Sequence, residues 1–212
     1  MKKASEYRRL AKESLKGNWG GAIFVCVIVM LLTGAVNAIP VVGQVVAIVI
    51  SGSLIVGEIM YFVELNRKHN PEVSILFKDF GKNLVGNLVT YLLMTIYTAL
   101  WTLLLIVPGI IKTYSYSMSM FIRYKQPNIG GNEAISLSRE IMNGRKMKLF
   151  KLHLSFIGWI LLGIITFGIA LLFVYPYMQA ANVAFYEDAY NEYMCTENTS
   201  QTETEALPEI QG

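Results

Sequence analysis

Six long apolar runs, separated by short polar or proline- and glycine-containing breaks, dominate the pattern of hydrophobic and polar positions along the chain. A helix that crosses a bilayer needs about 20 apolar residues in succession, whereas a half-buried strand or a surface helix interleaves apolar with polar positions. The pattern therefore predicts an all-α fold, a polytopic transmembrane helical bundle. The six predicted spans cover residues 20–39, 41–65, 86–107, 109–124, 149–167 and 169–190.

The six predicted spans pair into three hairpins, because only a minimal turn separates the two runs of each pair. The turns are predicted at Pro40, at Pro108 and Gly109, and at residues 166–168. Proline and glycine are typical of tight reversals between helices. The fourth run is only 16 residues long and rich in serine and tyrosine. A kinked continuation of span three and a re-entrant segment are therefore the alternatives to a full crossing there.

The positions of lysine and arginine favour six crossings, because short loops rich in these residues stay in the cytoplasm. With six crossings and both termini in the cytoplasm, 17 of the 18 bases lie on that side, and only Lys112 lies near the outer end of span four. A cleaved signal peptide is the alternative for the N-terminus. The basic stretch there is 18 residues long and apolar sequence resumes at Val41, which favours a retained first span.

A short amphipathic helix is predicted before each hairpin. Asn70 and Asn132 are the predicted N-caps of the second and third, and apolar residues recur at helical spacing in all three. Helices of this kind lie in the headgroup layer of a membrane. The repeated order indicates either an internal threefold duplication or the ordinary rhythm of membrane hairpins. The apolar positions are Ala4, Tyr7, Ala11 and Leu15, then Val73, Leu76, Phe77, Phe80 and Leu84, then Ala134, Leu137 and Ile141.

Three segments of different composition follow from this pattern. Residues 1–18 form a basic amphipathic helix, residues 19–193 the membrane domain, and residues 194–212 an acidic tail. The tail has four acids, no lysine or arginine and no apolar periodicity, so it is predicted to be disordered. Of the 212 residues, 54% are hydrophobic and 16% are charged, whereas an ordinary soluble domain has about 25% charged residues. This composition excludes a soluble domain.

The net charge of +3 indicates the class of partner. Because the bases lie beside apolar runs, anionic lipid headgroups are expected as partners and nucleic acid is not. A protein partner or a second copy of the chain is a further candidate. The predicted lipid contacts are Arg8, Arg9, Lys12, Lys16, Arg139, Arg145, Lys146 and Lys148.

The search for catalytic and cofactor motifs is negative. The chain has no phosphate-binding glycine loop, no dinucleotide fingerprint, no zinc-protease helix and no nucleophile elbow. Its only histidines, His69 and His153, are too few for a metal site, and Cys26 and Cys195 lie too far apart in the predicted topology to pair. The sequence therefore predicts no enzyme, no cofactor and no metal.

Polar residues inside the predicted spans are the better indication of function, since hydrocarbon makes them costly. They recur at helical spacing in the second helix of each hairpin. One interpretation is that these three helices converge on a polar cavity that binds a solute or a lipid headgroup. The other, which we prefer from sequence, is hydrogen bonding between packed helices. The candidate residues are Gln44, Ser51 and Glu58 in span two, Lys112, Ser115 and Ser119 in span four, and Gln179 and Asn182 in span six.

Several stretches together resemble one protein family. They are Ala11-x-x-x-Leu15-x-Gly17-x-Trp19, Pro108-Gly109-Ile110-Ile111-Lys112-x-Tyr114-x-Tyr116-Ser117, Ala134-Ile135-x-x-Ser138-x-x-x-Met142-x-Gly144-x-Lys146, Leu154-Ser155-Phe156-Ile157-Gly158-Trp159, and Pro176-Tyr177 with Ala184-Phe185-Tyr186. The combination is similar to the bacterial integral membrane proteins catalogued as domain of unknown function 975. The resemblance covers nearly all of residues 5–193. It implies a multi-pass bacterial membrane protein and no assigned activity.

Two functions follow as expectations. The first is a non-enzymatic, multi-pass protein of the bacterial cell membrane that acts through lipid or protein partners at its basic cytoplasmic face. The alternative is a small solute transporter or channel-like protein that uses the polar positions of spans two, four and six.

Overall fold

The computed structural model describes residues 2–37 and 42–205, and over these residues the chain is helical and has no strand. This confirms the all-α class. The elements in chain order are α1 (Ala4–Leu15), α2 (Trp19–Asn37), α3 (Val42–Asn66), a 3-10 helix (Val73–Phe77), α4 (Leu84–Leu104), α5 (Ile106–Tyr116), α6 (Ser119–Lys125), α7 (Gly131–Ile141), α8 (Lys146–Leu154), α9 (Ile157–Ile165) and α10 (Leu171–Glu205).

The number of candidate membrane spans is smaller than predicted. Within the described residues, Gly43–Asn66, Leu84–Leu104 and Lys146–Ile165 are long and apolar enough to cross a membrane. A fourth span results if α1 and the following Trp19–Ala35, which are bent by 100°, are counted together. The prediction of six spans therefore needs correction to three or four. The predicted fourth span is divided between α5 and α6, and polar residues follow the apolar start of α10.

Two of the three predicted turns fall within the described residues. Residues 166–168 do form a turn, in which Phe167 and Gly168 have φ values of 50° and 90°. The other break lies at Leu105, whose backbone is extended, whereas Pro108 and Gly109 lie inside the first turn of α5. A proline is tolerated there because the first turn of a helix leaves its N–H groups without intrahelical partners. The predicted turn at Pro40 lies outside the described residues.

The amphipathic helices predicted before the first and third hairpins are present as α1 and α7. The one predicted before the second hairpin is only the short 3-10 helix. Neither predicted asparagine caps its helix. Asn70 instead accepts a hydrogen bond from Asn18 (3.0 Å), and Asn132 accepts one from the Tyr97 hydroxyl (3.0 Å). The cap of α7 is Gly130, whose N–H donates to the Glu133 carboxylate at 3.0 Å.

The apolar faces of α1 and α7 are covered by protein, which differs from the predicted position in the headgroup layer. Tyr7, Ala11 and Leu15 of α1 are buried against α3, α8 and α10. Ala134 and Ile141 of α7 are buried as well, and α7 packs against α4 and α6. These helices therefore belong to the hydrophobic core of the protein itself.

The exposed large apolar side chains are concentrated in three stretches. Among the described residues they all fall within 24–48, 77–111 and 147–175, which overlap the predicted hairpins. The core instead contains α1, the second half of α3, α6, α7 and the middle of α10, with Phe62, Phe121 and Phe185 completely buried. The second helices of the three hairpins thus meet in the core, as one interpretation of the sequence predicted.

The helix α10 is longer than the predicted sixth span. It continues through Glu205, so residues 194–205 are helical where the sequence predicted disorder, and residues 206–212 lie outside the described part. Three acids near its centre contact bases of other elements. Glu187 lies 3.6 Å from Arg67 and 3.7 Å from Lys125. Asp188 lies 3.1 Å from Lys2, and Glu192 lies 3.7 Å from Arg145.

Candidate functional site

A buried carboxyl on α3 is the centre of the candidate site. Glu58 is only 4% exposed. Its Oε1 lies 3.9 Å from the Cys26 sulfur of α2, and the side chains of Gln179 and Tyr175 on α10 lie next to it. Gln179 also donates to the Tyr175 hydroxyl at 3.0 Å. The groups around the carboxyl are therefore uncharged hydrogen-bond donors.

Close packing of α3 places Glu58 in the interior. The preceding residue, Gly57, contacts the backbone of Leu76, and a Cβ at this position would overlap the Leu76 carbonyl. The 3-10 helix therefore covers one side of α3. Glu58 points away from this contact, towards α10 and a cavity.

The cavity lies between α3, α4, α5, α6 and α10 and has a volume of about 330 Å³. Its polar lining consists of the Glu58 carboxyl, the Gln179 amide and six hydroxyl groups. Thr95 and Thr113 are exposed, so the cavity opens on their side. The lining residues are Ile55, Glu58, Ile59, Phe62, Met94, Thr95, Thr98, Thr113, Tyr116, Ser117, Met120, Gln179, Val183 and Tyr186.

The arrangement suits a ligand that carries positive charge. A carboxylate next to an apolar cavity attracts a cation, and aromatic faces contribute further attraction. Phe62, Tyr116 and Tyr186 supply such rings around the cavity. A metal ion fits less well, because the described residues contain no group of three His, Cys, Asp or Glu side chains that could hold one.

The structure brings two of the eight predicted polar residues together, since Glu58 and Gln179 line the same cavity. The others lie elsewhere. Ser51 donates to the Ala47 carbonyl (2.6 Å), Ser115 donates to the Ile111 carbonyl (2.9 Å), and Asn182 hydrogen-bonds to His153 at 3.0 Å. Ser119 is buried and Gln44 is exposed. Asn182 therefore hydrogen-bonds between packed helices, as the preferred interpretation expects. Glu58 and Gln179 instead line a cavity, as the other interpretation expects.

Lys112 lies beside the C-terminal end of α4, which is the predicted outer end of span three, because its Nζ lies 4.5 Å from the centre of the Trp101 ring. Arg139 of α7 and Lys146 of α8 also act on it electrostatically. The position of Lys112 relative to the membrane therefore stays a prediction.

Sequence reasoning missed the contribution of α4 to the cavity. Thr95 and Thr98 line it, and the spacing of Tyr91, Thr95, Thr98 and Thr102 was a signal that could have revealed this polar side of the helix. It also missed Cys26, because a single cysteine in an apolar run gives no such signal.

A second buried polar network, centred on Arg123, lies apart from the cavity. Arg123 is 4% exposed, and its guanidinium donates to the Asn87 side chain at 3.2 Å and to the Ile129 carbonyl. Asn87 in turn donates to the Asp79 carboxylate. The three side chains join α6, α4 and the preceding loop, so their role is structural.

The eight predicted lipid contacts divide into engaged and exposed bases. Arg8 donates to the Ser155 carbonyl (3.4 Å), Arg9 lies 3.7 Å from Glu13, and Arg145 donates to the Ile141 carbonyl at 2.7 Å. Lys146 is half-buried. The remaining four are exposed, namely Lys12, Lys16, Arg139 and Lys148.

Comparison with known proteins gives one family. The model of that family, described as Protein of unknown function (DUF975), matches residues 1–115 and 102–192. The chain belongs to the DUF975 family. No curated protein and no solved structure matches the chain. In this DUF975 chain the cavity residues, from Ile55 to Tyr186, all lie within the matched part of the sequence.

Proposed function

We propose that this DUF975 chain is a non-enzymatic integral protein of the bacterial cell membrane that binds a small organic ammonium ion in the Glu58 cavity. Both termini lie in the cytoplasm, and binding serves the transport of the ligand. The observation that carries the proposal is a buried carboxyl, contacted by uncharged groups, at the edge of a cavity large enough for a small molecule.

Membrane insertion is supported by the distribution of apolar surface. Three helices have the length and composition of membrane spans. The exposed apolar side chains fall in three stretches and include Leu103, Ile165 and Phe167, each more than two thirds exposed. Apolar surface of this extent is costly in water and is satisfied by lipid.

Ligand binding is supported by the chemistry of the cavity wall. A volume of about 330 Å³ is at the lower end of the range of small-molecule pockets. An ammonium ion would pair with Glu58 and contact the faces of Phe62 and Tyr116, while Gln179 and the threonine hydroxyls accept hydrogen bonds. A neutral ligand of the same shape would lose the attraction to the carboxylate.

The test compares choline with its uncharged isostere 3,3-dimethylbutan-1-ol. Purified protein in detergent is heated with each compound, and the unfolding midpoint is followed by tryptophan fluorescence. Choline is expected to raise the midpoint of the wild-type protein, and the isostere is not. Glu58→Gln, which keeps the shape and removes the charge, is expected to abolish the increase.

The matched control is Glu64→Gln, on the same helix. Glu64 contacts Arg67 and His69 at the surface and does not line the cavity, so this variant is expected to respond to choline like the wild type. Equal stabilisation of the wild type and Glu58→Gln, or no stabilisation by choline, would contradict the proposal.

The basic surface supports a second function, association with anionic lipids. Lys12, Lys16, Arg139 and Lys148 are exposed. Replacing Arg139, Arg145, Lys146 and Lys148 by glutamine is expected to weaken binding to anionic vesicles at low salt, since each base near a membrane surface contributes about 1 kcal/mol. Unchanged vesicle binding would count against this function.

A further inference from the structure

Three bases lie on helices that pack together, since α5 contacts both α7 and α8. They are Lys112 of α5, Arg139 of α7 and Lys146 of α8. Two contacts fix the helices there. The Ser138 hydroxyl of α7 donates to the Ser115 carbonyl of α5 at 2.8 Å, and the rings of Tyr114 and Phe150 join α5 to α8 with centroids 5.9 Å apart.

Helix spacing places each base within about one turn of a residue at one of these contacts. Lys112 precedes Ser115 by nearly one turn, Arg139 follows Ser138 directly, and Lys146 precedes Phe150 by about one turn. Both Arg139 and Lys146 lie within electrostatic range of Lys112. In the part of the chain that the structure describes, the charged groups that act on Lys112 are therefore both positive.

Like charges brought together from separate helices repel one another and are stabilised by a bound anion. Lys146 is the first residue of α8, a nine-residue helix. The positive end of the helix dipole adds there to the charge of the lysine side chain. Both favour an anionic ligand.

Exposed apolar side chains surround the three bases. Ile111 precedes Lys112, Met147 follows Lys146, and Phe150 lies one turn further along α8, all exposed. Trp101, whose ring lies under the Lys112 ammonium, is also partly exposed. A phosphate group bound here would have apolar surface next to it, which acyl chains can cover.

We propose that Lys112, Arg139 and Lys146 bind the phosphate of an anionic phospholipid whose acyl chains lie along the exposed apolar residues of α5 and α8. This site is separate from the Glu58 cavity and independent of ammonium binding there, and it rests on the proposed association with anionic lipids. It assigns Lys112, which neither the cavity nor the core uses, to a lipid contact.

The proximity of Trp101 to Lys112 provides the measurement. The chain has three tryptophans, so Trp19→Phe and Trp159→Phe leave Trp101 as the single fluorophore. Phosphatidylglycerol with brominated chains, titrated into the full-length protein in detergent, is expected to quench this fluorescence. Phosphatidylcholine with the same chains is expected to quench it only at higher concentration.

The variant Lys112→Gln, Arg139→Gln and Lys146→Gln is expected to bind phosphatidylglycerol at least about tenfold more weakly, since three contacts of about 1 kcal/mol are lost. The control carries the same charge change at the exposed Lys68, Lys78 and Lys82, and its affinity is expected to be unchanged. Circular dichroism of both variants establishes that they fold. Equal affinity of the two variants would overturn the proposal, as would protection from quenching by glycerol 1-phosphate at concentrations similar to those of the lipid.

Discussion

Two glycines of α3 determine how closely neighbouring segments approach this helix. A Cβ added at Gly52 would lie 2.5 Å from the backbone oxygen of Asn87, and one added at Gly57 would overlap the backbone of Leu76. Backbone atoms cannot rotate away as a side chain does, so a larger residue must displace the whole segment. These contacts position the helix that carries Glu58.

Gly52→Ala is therefore expected to destabilise the protein by about 1–3 kcal/mol, the usual cost of an extra methyl group in a packed interior. The matched control is Gly20→Ala on α2, where an added Cβ meets nothing within 4 Å. That variant is expected to be neutral or stabilising, because alanine favours helix over glycine. Thermal unfolding in detergent measures the stability of both variants. Equal unfolding midpoints would contradict the close contact between Gly52 and the backbone of Asn87.

Asp188 makes folding stability depend on pH. It lies outside the apolar part of α10, and burial by itself raises its pKa, but hydrogen bonds from Tyr7 (2.6 Å) and Lys2 hold that pKa below the ordinary value of 3.8. A carboxyl whose pKa is lower in the folded state stabilises that state when the pH is above its ordinary pKa. This stabilisation is lost as the pH falls through the folded-state pKa. The wild type is therefore expected to be more stable than Asp188→Asn near neutral pH. The difference between their unfolding midpoints should shrink as the pH falls below about 4, and a difference independent of pH would contradict this role.

At the scale of elements, α1 is a part of the core and not a surface anchor. Leu15 is completely buried, whereas Leu10, on the same helix, is half-buried. A helix that only lay among lipid headgroups would contribute little to the stability of the bundle. The burial of Leu15 by α3, α8 and α10 makes α1 part of the fold.

Leu15→Ala is expected to cost about 2–5 kcal/mol, as for other buried leucines, and Leu10→Ala clearly less. Unfolding of the detergent-solubilised protein measures both variants. If the two substitutions lower the free energy of unfolding by the same amount, the apolar side of α1 faces lipid or detergent, and its position in the core is wrong.

The sequence allowed prediction of the amphipathic helices, but not of what covers them. The spacing of Tyr7, Ala11 and Leu15 is the same whether lipid or protein lies against it. The break between α5 and α6 carries no proline or glycine, so no local signal marked it. The pairing of Glu58 with Gln179 joins residues 121 positions apart, and it depends on how α3 packs against α10. Glu58 itself could be selected, because an acid within an apolar run has few structural explanations.

At the scale of the whole molecule, the three exposed apolar stretches overlap the three hairpins that the sequence predicted. The apolar stretches do not determine the number of crossings. A hairpin that spans the bilayer and one that enters and leaves on the same side have the same spacing of apolar segments. The helix α9 has nine residues, which is about 14 Å of length against a hydrocarbon thickness of about 30 Å. The third hairpin can cross only if α8 contributes to the span, and Lys148 and Lys151 then lie near one end of that span.

Labelling of single cysteines tests whether the third hairpin crosses. In a background of Cys26→Ala and Cys195→Ser, cysteines are placed at Asn128, in the exposed loop before α7, and at Phe167, which is 98% exposed at the tip of the hairpin. A membrane-impermeant maleimide is applied to intact cells. The positive-inside rule predicts that the basic region from Arg123 to Lys151 lies in the cytoplasm. Phe167→Cys is therefore expected to react, and Asn128→Cys is expected to react only after the cells are opened. Protection of both cysteines in intact cells would show that the hairpin returns to the cytoplasmic side. Reaction of Asn128→Cys in intact cells would show that the orientation is opposite to the predicted one.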